Sequence, residues 1–325
     1  MSDHSKNNLQ GALTALAAMG IFATHDVAVK MLGSSYSAVQ IVFFAALFSF
    51  PILALLVLRD SAGGSLWPRN PGWVFLRTAT SVITTVAAFH AFGALPLAQT
   101  YAILFAIPLI ITLLSIPILG ETVRLRRWVA VIVGLIGVLI VLRPGSAALS
   151  SGHLSALVAA VTGSLTAIIV RKVGDTERPV VLLIYPIFGN FMIMCLVLPF
   201  VYRPMAGADL GLVGIIAVLG PIASLLSIRS YQKAEAVIVA PMQYSQILWA
   251  TMYGLIFFQE TPDLTTLIGA AIVILSGIYI VLREARSGAS ANRPVLETGS
   301  RNDIVAPTRP GLLQRFRQSS FRRED

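Results

Sequence analysis

Apolar stretches about twenty residues long follow one another along almost the whole chain, and this pattern constrains the fold more than any other feature. A helix needs roughly 20 apolar residues to cross the hydrocarbon core of a membrane. Because backbone groups that face lipid must be satisfied within their own segment, such stretches are expected to be helices. They do not alternate between polar and apolar residues as the strands of a β-barrel do.

Ten such stretches can be counted, and the connections between them are short, as in "GSS" at 33–35. Short connections predict that neighbouring helices run antiparallel. The sequence therefore predicts an all-α integral membrane protein with ten transmembrane helices, surrounded by the lipid bilayer. The predicted spans cover residues 9–32, 36–58, 72–94, 97–119, 127–142, 152–170, 180–201, 210–230, 236–258 and 262–282.

Composition agrees with a membrane protein and argues against other classes. Charged residues make up 12% of the 325-residue chain and the mean hydropathy is +0.80, whereas a soluble domain carries about 25% charged residues. The net charge is +9, but the basic residues lie in short connections and a tail, so we expect no nucleic-acid partner. A single cysteine, Cys195, excludes an internal disulfide, and we expect neither a metal site nor a cofactor.

The basic residues are distributed unevenly between the two sides of the membrane. With a cytoplasmic N-terminus, the outer connections hold only Arg143 and Arg203. The positive-inside rule then places both termini in the cytoplasm, which requires an even number of spans. The inner connections hold Arg59, Arg69, Arg124, Arg126, Arg127, Arg171, Lys172, Arg178, Arg229 and Lys233.

The two ends of the chain are polar. Residues 1–8 are predicted to form a cytoplasmic N-terminus, and the long apolar run that follows predicts a retained first span rather than a cleaved signal peptide. Residues 287–325, rich in Ser, Arg, Asn and Pro, are predicted to be a disordered basic cytoplasmic tail. We expect the protein to lie in the inner, cytoplasmic membrane of a bacterium.

The chain contains an internal repeat. Residues 121–143 and 260–283 both begin Glu-Thr and end Val-Leu-Arg, and residues 11–30 and 152–172 share the pattern Gly-x-Leu-x-Ala-Leu-x-Ala. The first span therefore matches the sixth, and spans four and five match nine and ten. Each copy contains five spans, and an odd number inverts the second copy relative to the first. Inverted repeats are typical of secondary transporters, whose binding site lies near the midplane; the alternative is a duplicated bundle without a transport role.

The repeat resembles a known family. Residues 76–145 are similar to the first EamA repeat of the drug/metabolite transporter superfamily: Arg77 opens the third span, Pro108 lies inside the fourth, and Gly120-Glu121 precede a glycine-spaced span that ends Val-Leu-Arg-Pro-Gly. Residues 152–283 resemble the second copy, in which Gln259-Glu260 replace Gly-Glu. The resemblance implies two inverted five-helix EamA repeats, at 9–143 and 152–283.

The same resemblance implies transport of small organic solutes such as amino acids, nucleotide-like metabolites, S-adenosylmethionine or riboflavin. The pattern D-x-x-x-K from Asp26 to Lys30 is similar to that of riboflavin and S-adenosylmethionine uptake carriers. Ala45 stands where those relatives usually carry an arginine. Importers and exporters both belong to the superfamily, so an exporter of an amino acid or another metabolite is the alternative to uptake.

Ionisable side chains inside a membrane are costly and are functional candidates by default. Asp26 lies four residues before Lys30, so the two share a helical face and can form an ion pair. That pair is either structural, or Asp26 binds and releases a proton during turnover. His25 is also a candidate for coupling, but it points about 100° away from Asp26 and is not expected to share its face. Arg77 is expected to reach lipid headgroups.

Candidate substrate contacts concentrate in the ninth span, where residues 240–254 place amides and aromatic rings near mid-depth. The matching residues of the fourth span are Leu104, Phe105, Ile107 and Ile110, so only one copy is polar. Amides beside aromatic rings suit a planar, uncharged solute, which favours riboflavin, followed by aromatic or small neutral amino acids. The alternative is that these side chains join helices. The candidates are Gln243, Tyr244, Gln246, Trp249, Tyr253, Tyr185, Asn190, His90, Gln99 and Tyr101.

Three further expectations concern alternatives. Glu121 and Glu260 are interpreted as carboxylates at the starts of the fifth and tenth spans, where they complement the helix dipoles. The four histidines are scattered and no P-loop is found, so we expect a transporter rather than an enzyme or an ATP-driven pump. Glycines in "GLIGV" (134–138), with Gly269 and Gly277, would allow close helix packing or a homodimer, and a channel or scaffold is the remaining alternative.

Overall fold

The computed structural model describes residues 3–58, 65–120, 125–143, 149–173, 176–233 and 239–286. Throughout these ranges the regular elements are helical, as predicted. The predicted tail at 287–325 and Glu121 lie outside the described residues. The helices are α1 (Asp3–Gly33), α2 (Ala38–Leu58), α3 (Pro71–Ala94), α4 (Leu97–Leu104), α5 (Ile107–Leu119), α6 (Leu125–Leu142), α7 (Ser151–Val173), α8 (Pro179–Val201), α9 (Gly207–Lys233), a 3-10 helix (Ala240–Ser245), α10 (Gln246–Phe258) and α11 (Leu264–Arg286).

The surface is apolar, unlike that of a soluble protein. Large apolar side chains point outwards, for example Phe200, which is 87% exposed, and Leu58, which is 82% exposed. Asp26 and Gln40, in contrast, are fully buried. Six segments are long and apolar enough to cross a membrane, and three further apolar helices are shorter. The protein is therefore a helical multi-pass membrane protein, and the number of ten spans stays a prediction.

The fourth and ninth predicted spans are not continuous helices. The fourth is divided into α4 and α5 by a tight turn at Phe105 and Ala106, where the Ala106 N–H bonds to the Ile103 carbonyl at 3.0 Å. Pro108 explains the break, because proline has no N–H for the Leu104 carbonyl and disfavours helical geometry at the preceding residue. The ninth span begins with the 3-10 helix and becomes α-helical only at Gln246.

The helices pack in pairs, chiefly α1 with α9, α3 with α7, α6 with α11, α2 with α8 and α4 with α10. Replacing each helix by the one that the sequence repeat matches to it turns α1–α9 into α7–α3 and α5–α7 into α10–α1, and it leaves the α2–α8 and α6–α11 pairs as themselves. The weaker pair α3–α8 likewise becomes α9–α2, and both of these pairs are in contact. Most of the strongest helix pairs are thus preserved when the two halves are exchanged, whereas the α1–α3 and α4–α10 pairs are not.

Glycines allow two helix pairs, α6–α11 and α1–α3, to approach closely within the chain. A Cβ atom on Gly137 of α6 would lie 2.8 Å from the Gly269 carbonyl of α11, and one on Gly93 of α3 would lie 3.1 Å from the Cα of Gly33. The Ser276 hydroxyl of α11 donates to the Ala130 carbonyl of α6. The glycines that would allow close packing or a homodimer are therefore used for packing inside one chain.

Hydrogen bonds define the two ends of the bundle. At one end, Lys30 at the close of α1 donates to the Leu95 carbonyl after α3, 2.5 Å away; we call this the Lys30 end. At the other, the Glu177 carboxylate holds the segment that precedes α3 by accepting from the Arg69 N–H at 3.1 Å and from the Asn70 N–H. We call this the Glu177 end. Sequence analysis did not identify Glu177.

The Glu177 end also holds the closing residues of α5 and α7 together. The Lys172 ammonium of α7 donates to the Ile118 carbonyl of α5 at 2.7 Å and lies 4.7 Å from the ring centre of Trp73. The Arg178 guanidinium donates to the Ser65 carbonyl at 3.0 Å. The closing residues of α5 and α7 therefore lie at the same end of the molecule.

Arg77 was expected to reach lipid headgroups, and it does not. Its side chain is buried in the interior, and its guanidinium donates to the carbonyl of Leu182 in α8. That carbonyl lacks its helical donor because the residue four positions later is Pro186. The hydrogen bond to this carbonyl, which proline leaves without a donor, explains why the Arg77 side chain points into the bundle.

Candidate functional site

A buried carboxylate lies at the junction of α1 and α4. Asp26 is fully buried; its Oδ1 lies 2.8 Å from His25 Nδ1, and its Oδ2 accepts the Tyr101 hydroxyl of α4. His25 and Asp26 were not expected to share a helical face, yet their side chains are in contact. Neighbouring helical side chains leave the backbone in different directions, but the imidazole is long enough to turn back to the carboxylate.

We call Asp26, His25 and Tyr101 together the Asp26 centre. Aromatic rings pack around it. The Tyr101 ring contacts Phe92 with a centroid distance of 5.3 Å and lies 6.2 Å from Phe105. The His25 ring meets Phe89 edge-on at 6.0 Å. Apolar walls strengthen the hydrogen bonds to a carboxylate, so the contacts with His25 and Tyr101 matter more here than they would at a solvent-exposed site.

Lys30 has a different carboxylate partner from the one predicted. Its ammonium lies 2.8 Å from Oε1 of Glu260, a residue of the second half of the chain. The same ammonium lies 5.1 Å from the ring centre of Phe258. Lys30 and Asp26 lie one helical turn apart, as expected, but Asp26 binds Tyr101 and His25 instead. The predicted coupling residues thus belong to two neighbouring clusters.

Glu260 is a helix-capping carboxylate, but it caps a different helix from the one expected. Its Oε2 accepts the N–H of Leu97, the first residue of α4, at 3.1 Å. The start of α11 is capped instead by Asp263, whose Oδ1 accepts the Thr266 N–H at 3.1 Å and whose Oδ2 pairs with Arg143. The connection between α10 and α11 carries Glu260 away from its own helix.

The aromatic residues of α10 pack against α1 at matching intervals. The Trp249 ring lies over Gly20, where a Cβ atom would be 3.3 Å from Cε2, and the Tyr253 hydroxyl lies 3.0 Å from the Thr24 hydroxyl. Gly20 and Thr24 are one helical turn apart, and so are Trp249 and Tyr253, so α1 and α10 run side by side. Sequence analysis identified the α10 stripe but missed Thr24, whose spacing from Gly20 was the available signal.

The interruptions in the fourth and ninth spans touch each other. Phe105, in the turn between α4 and α5, packs edge-on against Tyr244 of the 3-10 helix with a centroid distance of 5.1 Å. These two residues correspond in the repeat. The Tyr244 hydroxyl faces Gly277 and is buried without a hydrogen-bond partner in the described part of the chain. Gln243 and Gln246 are half-buried beside it.

The remaining candidates lie away from the Asp26 centre. His90 is exposed and lies 3.1 Å from the Ser151 hydroxyl of α7; it lines a cavity of about 760 Å³ between α2, α3 and α7. Tyr185 packs against a small apolar cluster around Val181 in α8. Asn190 donates to the Pro186 carbonyl of its own helix at 3.0 Å.

A smaller cavity opens at the Lys30 end. It has a volume of about 310 Å³ and is lined by residues of α4, α6, α7, α10 and α11, including Gln99, Thr251 and Glu260. The Gln99 amide lies 3.0 Å from His153 Nε2, a partner that sequence analysis did not predict. We call this cavity the vestibule. Among the described residues, no three His, Cys, Asp or Glu side chains could together hold a metal ion.

Comparison with known proteins identifies the relatives of this chain. A family model described as the EamA-like transporter family matches residues 9–143 and 150–283. An S-adenosylmethionine uptake transporter of Rickettsia prowazekii (strain Madrid E) is 24% identical, with 89% of this chain and 98% of the relative covered. A riboflavin transporter of Vibrio cholerae serotype O1 is 26% identical over 86% and 95% of the two chains.

Two further comparisons widen the range of relatives. A pseudopaline exporter of Pseudomonas aeruginosa is 24% identical, covering 83% of this chain and 95% of the relative. A solved crystal structure matches with a TM-score of 0.58 and 18% identity, over 88% of this chain and 100% of the other. That likeness concerns the fold. The relatives include one carrier named for uptake, one named as a transporter and one named for export.

Proposed function

The chain belongs to the EamA-like transporter family, and we propose that it is a secondary transporter that moves a small organic metabolite by alternating access. Its place is the inner membrane, with both termini in the cytoplasm and ten spans arranged as two inverted five-helix repeats, at 9–143 and 152–283. The small number of basic residues at the Lys30 end supports an outer location for that end.

One observation carries this proposal: two interrupted spans meet at corresponding positions of the two halves. Phe105 lies in the break of the fourth span and Tyr244 in the 3-10 start of the ninth, and their rings are in contact. Paired interruptions in the two halves of a transporter point to its binding site. The Asp26 centre is next to this contact, because Tyr101 lies one helical turn before Phe105.

The pairing of helices supports movement of one half against the other. Contacts such as α1–α9 and α3–α7 join helices from different halves, and they interchange when the halves are exchanged. Two halves with equivalent interfaces have two nearly equivalent packings, one open to each side of the membrane. Solute binding then needs only to shift the population between them.

Riboflavin is the first candidate for the solute. Trp249 and Tyr253 present aromatic rings 6.2 Å apart, and the half-buried amides of Gln243 and Gln246 lie earlier on the same span. Rings and amides together bind a flat, uncharged molecule with hydrogen-bonding edges. A relative with the name riboflavin transporter supports the same choice.

S-adenosylmethionine is the second candidate because of one observation, the carboxylate of Asp26 among aromatic rings. A sulfonium or ammonium group is attracted both by a carboxylate and by ring faces. Relatives named for S-adenosylmethionine uptake cover nearly the whole chain. Riboflavin has no cationic group, so the two candidates make different use of Asp26.

Coupling to protons would use the same residue. Asp26 is linked to His25 and Tyr101, and a carboxylate in this position can hold a proton in one state of the carrier and release it in the other. Lys30 and the other candidates at the Lys30 end, His90 and Gln99, would take part in opening or solute entry.

Uptake into proteoliposomes tests the proposal. Purified protein is reconstituted, and the uptake of labelled riboflavin, S-adenosylmethionine and a panel of amino acids is measured with and without a pH gradient. Saturable uptake, accelerated by unlabelled solute on the opposite side, is the expected result for a carrier. Flux that rises linearly with concentration would indicate a channel, and absence of uptake for every solute would contradict the proposed substrates.

A further inference from the structure

Two charged side chains fasten the Lys30 end of the bundle. Lys30 Nζ lies 2.8 Å from Glu260 Oε1 and donates to the Leu95 carbonyl at 2.5 Å. The second oxygen of Glu260 accepts the Leu97 N–H at 3.1 Å. Together they tie the end of α1, the connection between α3 and α4, and the connection between α10 and α11. Contacts from both halves of the chain converge on this one ion pair.

The pair is shielded from solvent. The Lys30 side chain is 9% exposed and the Glu260 side chain 23% exposed. An ion pair in such a setting is screened less than a surface pair, and removing one partner leaves the other charge unpaired. Its hydrogen bonds to the backbone also fix its geometry, which distinguishes it from flexible surface ion pairs that contribute little.

Its position separates the vestibule from the Asp26 centre. Glu260 lines the vestibule on one side. On the other side, Asp26 lies one turn before Lys30 on α1, and Tyr101 lies one turn after Leu97 on α4, so the centre is about 6 Å deeper along both helices. A solute moving from the vestibule to Asp26 must pass between the helices that the pair holds together.

We propose that Lys30 and Glu260 form a latch that closes the Lys30 end over the Asp26 centre. The inference rests on the proposed alternating access, because it assigns the latch to the state that is closed at this end. When the ion pair breaks, the end of α1 separates from the connection between α10 and α11, and the vestibule becomes continuous with the centre. Glu260 is thus a positioning residue that acts on the equilibrium between the two states.

The accessibility of a buried thiol tests the latch without any solute. Cys195, the single cysteine, is replaced by Ser, and Ala102→Cys introduces a thiol into the buried face of α4 next to Tyr101. Labelling by a membrane-impermeant maleimide is followed in intact cells and in inside-out vesicles. Glu260→Gln and Lys30→Gln are each expected to accelerate labelling about tenfold, equivalent to about 1.4 kcal/mol, from the side that the Lys30 end faces.

Controls make the expected result specific. Asp209→Asn removes a carboxylate at the same end whose recorded partner, the Tyr36 hydroxyl 2.6 Å away, is outside the latch, and labelling should stay slow. The double variant Lys30→Gln/Glu260→Gln should label no faster than either single variant, since both remove one contact. Lys30→Arg keeps the charge and should label slowly, which separates loss of the latch from general misfolding.

Failure of the latch and failure of the transport proposal can be told apart. Unchanged labelling in both single variants, or equal acceleration by Asp209→Asn, would overturn the latch even if solute uptake is normal. Faster labelling in the two variants together with no uptake of any solute by the unaltered protein would keep the latch and contradict the proposed substrates.

Discussion

Asp26 is the residue whose substitution should change the energetics of transport most directly. In Asp26→Asn the amide keeps the size of the side chain but neither carries charge nor takes up a proton in the range where a carboxylate does. If Asp26 couples protons to transport, uptake by this variant should be independent of pH, measured between about pH 5 and 8 in proteoliposomes. Asp209→Asn is the control, because its carboxylate lies outside the centre and should leave the pH profile unchanged. An unaltered profile in Asp26→Asn would remove the coupling role.

Trp249 and its neighbour Leu248 provide a matched pair of substitutions on α10. Trp249 packs over Gly20 inside the bundle, whereas Leu248 is 71% exposed on the lipid-facing side. Loss of a ring that stacks on the solute should raise the KM for riboflavin about tenfold in Trp249→Ala, with Gln243→Ala acting in the same direction. Leu248→Ala should leave the KM unchanged. Membrane abundance of each variant is measured alongside. A normal KM in both Trp249→Ala and Gln243→Ala would exclude the ninth span from the binding site.

Arg77 and Pro186 form a pair whose effects should cancel. Arg77→Met removes the donor to the Leu182 carbonyl, and an unsatisfied buried carbonyl costs about 1–3 kcal/mol of stability. Pro186→Ala restores a backbone N–H four residues after Leu182, so the double variant Arg77→Met/Pro186→Ala should regain most of the thermal stability in detergent. A double variant less stable than Arg77→Met alone would show that the guanidinium has another role.

Residue types were easier to predict than residue partners. Asp26, His25, Lys30 and Tyr101 were identified because polar side chains are conspicuous in an apolar chain. Lys30 pairs with Glu260, which is 230 positions later in the sequence, and helical spacing carries no information about such distant contacts. Backbone directions place His25 and Asp26 on different helical faces, and the contact between their side chains depends on the length of the imidazole, which those directions do not describe.

At the scale of helices, the glycine contact between α6 and α11 should tolerate no side chain. Gly137→Val places methyl groups against the Gly269 carbonyl, and overpacking of this kind costs about 1–3 kcal/mol. We expect lower thermal stability and lower membrane abundance, measured by fluorescence-detected chromatography in detergent. Gly211→Val is the control, because a Cβ atom on Gly211 of α9 would meet nothing within 4 Å. Equal losses in both variants would indicate a general effect of valine.

The positions of the helices followed from apolar length, but their interruptions did not. Pro108 was noted inside the fourth span, and the break falls just before it, at Phe105 and Ala106. In the ninth span Pro241 accompanies the 3-10 start, yet proline at the opening of a helix is usually tolerated and gave no warning. Hydropathy reports whether a segment is apolar and is insensitive to whether its backbone is continuous, so the feature most relevant to transport was the least visible.

At the scale of the whole molecule, the repeat predicted more than either half did. Matching the two copies in sequence pairs Phe105 with Tyr244, and the structure brings these residues into contact. Corresponding residues of two copies touch only near the axis that relates the copies, so this contact marks the centre of the arrangement. The polar stripe of the ninth span has no counterpart in the fourth span, and Asp26 of the first copy matches Ala167 of α7. A symmetric scaffold thus carries an asymmetric site, as expected for one particular solute.

The inverted arrangement makes a prediction about sidedness. Lys172 of α7 bonds to Ile118 of α5, so the connections at 120–125 and 174–178 should lie on the same side of the membrane, and the basic residues assign that side to the cytoplasm. Cysteines placed singly in these connections, with Cys195 replaced by Ser, should react with an impermeant maleimide only in inside-out vesicles. A cysteine in the connection at 202–206, where Gln40 accepts the Arg203 N–H at 2.9 Å, should react only in intact cells. An odd number of membrane crossings between the two connections would put 120–125 and 174–178 on opposite sides. That outcome would contradict inverted five-helix repeats and, with them, alternating access by exchange of the two halves.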